Sequence, residues 1–117
     1  MTNVDWAHSA AAVLARLEAG DAPPRDDQRS VVKASLAALV ERAPGRSVEV
    51  RIPPLAAVQV VEGSRHRRGT PPAVVETDAA TWLALALGQL DWGTALRTGR
   101  LRASGERSDL SMYLPLI

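Results

Sequence analysis

The stretch VVETDAATWLALALGQLDWGTALRTGRLRASG, residues 74–105, decides how this chain folds. Just before and into it, Ala73 to Thr77 is short and valine-rich, which suits a strand. Asp78 then offers the short acceptor side chain that caps a helix, and Gly88 offers a stop, so a helix is predicted over Ala79 to Leu87. Trp82, Leu83, Leu85, Ala86 and Leu87 cover most of its circumference, which predicts a helix buried on all sides. Asp91 to Leu96 reads as a short capped helix stopped by Gly99. Arg100 to Ser104 alternates, with Leu101 and Ala103 facing inward, and reads as a strand.

Outward from this segment, Ser47 to Ile52 also has period two, with Val48, Val50 and Ile52 on one face and Glu49 and Arg51 on the other. Pro53-Pro54 breaks it. Ala57 to Glu62 reads as its antiparallel partner, and Gly63 to Pro72 as a long hairpin loop returning the chain to Ala73 in a meander. Towards the amino terminus, Trp6, Ala10, Val13, Leu14 and Leu17 recur at helical spacing, which predicts a helix over about residues 4–19, started by Thr2 and Asp5 and stopped by Gly20. A second helix is expected to be capped by Asp26 or Asp27, with Val32, Leu36, Leu39 and Val40 as its stripe and Pro44-Gly45 as its end. Asp109 to Leu114 reads as a last helical turn before Pro115.

The expected fold is therefore one α+β domain over residues 1–117: a mainly antiparallel twisted sheet of four to five strands covered by helices. The length of 117 residues, 46% hydrophobic and 23% charged, suits one core. The net charge of +1 supplies no field to gather nucleic acid or anionic lipid. The longest apolar run, Trp82 to Leu87, is far short of the ~20 residues of a membrane span. Absence of cysteine excludes disulfides and thiolate catalysis and, with no basic, apolar leader in Met1 to Asp5, points to a cytoplasmic location.

Few residues suggest chemistry. His8 and His66 are the only histidines and lie on separate elements, so no metal site is expected. Ser104, Ser108 and Ser111 lack a nucleophile-elbow context, and Asp78 is better used as a helix cap than as half of a carboxylate pair with Glu76. No catalytic residue and no cofactor is expected. The Arg65-His66-Arg67-Arg68 cluster, with Thr70, offers donors for a phosphate or carboxylate, or is simply a solvated loop tip; without interleaved aromatics it gives no nucleic-acid surface.

From Val74 onward the chain resembles the sterol carrier protein family in its carboxy-terminal signature. The matching residues are Asp78, Gly88, Leu90, Ala95, Gly99, Leu101, Ser104 and Gly105, followed by Asp109, Leu110 and Leu114. Residues 43–51 and 69–78 are similar to a compact bacterial branch, so the resemblance covers nearly the whole chain. It implies a twisted sheet covered by helices around an apolar tunnel for acyl chains, sterols or other lipids, and hence a non-enzymatic carrier.

Val58, Val60, Trp82, Leu83, Leu87, Leu90, Trp92, Leu96, Leu110 and Leu114 are the candidate lining of such a pocket, although helical spacing alone does not separate lining from core. An empty apolar tunnel of ~300 Å³ would cost about 7 kcal/mol at ~24 cal/mol per Å³, so it is expected to be filled or closed. The alternative is a ligand-free interaction module, forming a homodimer through exposed apolar residues of the first helix such as Trp6, or an accessory domain of an enzyme.

Overall fold

The computed structural model describes residues 5–63 and 73–117. The elements run α1 (Asp5–Glu18), α2 (Arg25–Arg42), β1 (Val48–Ile52), β2 (Ala56–Val60), β3 (Ala73–Thr77), α3 (Ala79–Ala86), α4 (Trp92–Arg97) and β4 (Leu101–Ser104), closed by a 3-10 turn at Ser111–Tyr113. Every expected element is present, with ends shifted by a residue or so. Thr2 lies outside the described residues. Asp26 and Asp27 do not cap α2: the cap position is Pro24, and both carboxylates sit in the first turn, where they face the positive end of the helix dipole.

The sheet has four strands in the order β2-β1-β3-β4. β1 pairs antiparallel with β2, and β3 antiparallel with β4, whereas β1 and β3 run parallel with Val50 opposite Val75. The sheet is thus mainly antiparallel, but the expected meander is not what forms. β3 does not pair with β2; it lies on the other side of β1 and parallel to it, and most of the expected hairpin loop, residues 64–72, falls outside the described residues. Period-two patterning fixes which face of β3 is buried, not which strand lies beside it.

One face of the sheet is apolar. Val48, Val50, Ile52, Val60, Ala73, Val75 and Leu101 are buried there, with Val58 half-buried opposite Val50. The other face carries Glu49, Arg51, Glu76 and Arg102, joined as the pairs Arg51–Glu49 at 2.7 Å and Arg102–Glu76 at 3.4 Å. Such partly exposed pairs contribute little to stability.

α2 packs against the sheet at β2, and α1 and α2 both pack against α3. Thr81 to Ala86 are all buried, so α3 is the enclosed helix its composition predicts. Burying Trp82 brings its indole N–H inside, where it donates to Ser35 Oγ at 2.8 Å; that hydroxyl in turn donates to the Val32 carbonyl at 2.9 Å. α2 and α3 are therefore joined by a satisfied buried polar pair within one apolar core. Trp6 differs from expectation: it is half-buried against this core, with its Nε1 enclosed and without a partner among the described residues, so α1 does not present it as an exposed contact.

Candidate apolar cleft

α3 ends in a Schellman motif. Gly88, at φ +79, allows Gln89 N to donate to Ala84 O at 2.8 Å and Gly88 N to donate to Leu85 O at 3.3 Å, which turns the chain sharply towards Leu90 and α4. A Cβ on Gly88 would meet Pro115 at 3.4 Å, an ordinary contact, so it is the positive φ and not close approach that calls for glycine here. The carboxy-terminal segment is anchored by fully buried Leu110 and by Leu116, whose amide donates to Ala86 O at 2.8 Å. Arg42, at the end of α2, donates to Tyr113 O at 2.9 Å, Pro115 O at 2.6 Å and Leu116 O at 3.3 Å. One guanidinium thus holds a strap of chain across the end of α3.

Between strap, turn and α4 lies a cleft of about 320 Å³, lined by Leu85, Gly88, Leu90, Asp91, Trp92, Gly93, Ser111, Leu114 and Pro115. Its walls are mostly aliphatic and aromatic, and Asp91 is its only charged lining residue. The Thr94 hydroxyl holds the Asp91 carboxyl below the ordinary carboxylate range, against a smaller opposing effect of desolvation, with Arg97 adding a weaker pull in the same direction. Across the cleft, Asp109 accepts from the Ser111 amide at 2.9 Å, and hydrogen bonding from Ser111 likewise lowers its pKa.

Of the candidate pocket residues, the structure brings Leu90, Trp92 and Leu114 together here. Val60, Trp82, Leu83, Leu87 and Leu110 are packed in the core, with Val58 half-buried on the inner sheet face, and none of them lines this cleft. Leu96, 41% exposed, lies instead in a groove along β4 with Val74, Glu76 and Arg102. Arg65, His66, Arg68 and Thr70 fall outside the described residues. Leu85, Asp91, Ser111 and Pro115 complete the cleft; from sequence they read as a buried helix residue, a helix start, a serine without catalytic context and a stop, and not as pocket lining.

A second cleft, of about 430 Å³, lies at the end of the sheet by Pro53, Glu76, Asp78, Arg100 and Arg102. Its charges are already engaged: Asp78 accepts from the Thr81 amide at 2.7 Å, Arg100 Nε donates to Thr81 Oγ1 at 3.3 Å, and Arg102 pairs with Glu76. It is a polar recess whose donors and acceptors satisfy one another.

Residues 24–116, from the start of α2 to the strap, match the model of a family described as bacterial SCP ortholog. Helix α1 precedes the matched region. No curated protein matches the chain.

Proposed function

This chain belongs to the bacterial sterol-carrier-like family, and from that premise we propose that it binds and carries an apolar small molecule or lipid without transforming it. The observation that carries this reading is the cleft at the end of α3, where Leu85, Leu90, Trp92, Leu114 and Pro115 converge. Ligand sites are typically mostly apolar with a few placed polar groups, and here Asp91 and Ser111 are those groups. One carboxylate and one hydroxyl among the lining residues support holding a ligand rather than acid–base or nucleophilic chemistry on it. No helix is long and apolar enough to cross a membrane among the described residues, which fits a carrier that meets its ligand from water.

Native mass spectrometry of gently purified protein, followed by saturation with alkyl and polycyclic probes read by Trp92 fluorescence, tests this proposal. One equivalent of a co-purifying lipid-sized mass, or one saturable site quenching Trp92, is the expected result. Failure of every acyl and polycyclic probe to bind would sink it.

A further inference from the structure

The cleft's walls and its rim differ in chemistry, and the difference selects a headgroup. About 320 Å³ is roughly ten water volumes at ~30 Å³ each, room for one aliphatic chain of about ten methylene-sized groups. Asp91, at the cap position of α4, and Ser111 both line the cleft. No arginine or lysine lines the cleft. Arg97, the nearest cation, donates from one guanidinium nitrogen to the Thr94 hydroxyl at 3.2 Å, and among the described residues no ion pair includes Asp91.

We infer that the cleft prefers a single-chain amphiphile with an ammonium head over one with a carboxylate head. The inference rests on the proposed apolar-ligand reading and adds the charge of the head to it. With the chain laid between Trp92 and Leu114, an ammonium reaches Asp91 and finds both carboxylate and Ser111 hydroxyl as acceptors. A carboxylate in that position meets a like charge at Asp91. A neutral alcohol donates one hydrogen bond and ranks between the two. Because Asp91 is exposed, solvent screens the effect, and the expected preference is about fivefold between ammonium and carboxylate, the size of a screened ion pair.

The test compares decylammonium, decanol and decanoate below their micelle concentrations, binding to wild-type protein and to Asp91→Asn by Trp92 fluorescence and calorimetry. Asparagine caps a helix about as well as aspartate, so the variant should keep α4. Expected is the order ammonium, alcohol, carboxylate in wild type, with the spread shrinking at high salt and lost in Asp91→Asn. Decanoate binding as tightly as decylammonium would overturn the inference and leave the carrier reading standing. An ammonium preference that survives in Asp91→Asn would also overturn it, since Asp91 would not be its source. Failure of all three probes would overturn both.

Discussion

Replacing Arg42 by alanine should release the carboxy-terminal strap while leaving the rest of the fold in place. Docking of Tyr113 to Leu116 is favoured by burial of Leu116, about 2 kcal/mol, and by half-burial of Tyr113 and Leu114, about 1 kcal/mol each. The hydrogen bond from Leu116 N to Ala86 O adds about 1 kcal/mol. The three hydrogen bonds from Arg42, discounted because two of them are exposed, add about 2–2.5 kcal/mol together. Fixing four residues costs about 6 kcal/mol at ~1–2 kcal/mol each. The surplus is only about 1–1.5 kcal/mol, which leaves roughly a tenth of molecules with the strap undocked. Without the guanidinium the sign reverses and most molecules are undocked. Hydrogen exchange at the Leu116 amide, protected in wild type, should then approach the rate of an open chain. Tm should fall by at most about 6 °C, because only the strap's own surplus is lost. Arg42→Lys, a point charge that cannot serve three carbonyls at once, should fall between. Unchanged protection of Leu116 in Arg42→Ala would refute the reasoning and show that Leu110 and Leu116 hold the segment unaided.

Ser35→Ala should leave the Trp82 indole N–H buried without an acceptor, costing about 1–3 kcal/mol less about 0.5 kcal/mol returned by alanine's helix propensity. At ~2.1 cal/mol/K per residue this lowers Tm by roughly 2–10 °C, and the Ser35→Ala, Trp82→Phe pair should cost less than its parts combined. Gly45→Ala should cost more than about 3 kcal/mol in urea denaturation, or prevent folding, because at φ +151 its Cβ would run into the Val61 backbone. Gly99→Ala, at φ +73 with open space around it, should cost only about 1 kcal/mol.

What could be read in the sequence was local. Gly20, Gly88 and Gly99 were legible as helix stops because a positive φ just past a helix end favours glycine, and all three sit at φ +73 to +79. The enclosure of α3 was legible because no polar stripe interrupts Thr81 to Ala86. The antiparallel pairing of β1 with β2 was legible, but the neighbour of β3 was not, since the alternation around Val75 does not say whether it lies beside β2 or beside Val50 on the side away from Val58. Trp6 followed its stripe inward, as its spacing with Ala10 and Val13 predicts, against the reading of it as an exposed contact of the first helix. Of the cleft, Leu90, Trp92 and Leu114 could be nominated as apolar residues near glycine turns. Arg42 could not, because its contacts lie 71 to 74 residues away and nothing in an arginine at a helix end says which carbonyls it will reach.

The packing of the interior bears on how a carrier of this design would load. An empty tunnel of ~300 Å³ would consume about 7 kcal/mol, most of a domain's ~5–15 kcal/mol of stability. The volume beneath the helices is instead occupied by Leu14, Leu36, Leu39, Ile52, Trp82, Leu83 and Leu110, each fully buried. The surface cleft carries no such penalty, because water fills it when no ligand does. A short chain that fits the cleft as it stands binds the form in which about nine-tenths of molecules rest. A longer one must displace Leu114 and Pro115, so it binds only the undocked tenth and is weakened about tenfold. On this hypothesis the Arg42→Ala variant separates the two classes: affinity for a long chain should rise towards tenfold while that for a short chain falls with the loss of the Leu114 wall. Parallel changes for both lengths would mean that the strap does not gate the cleft.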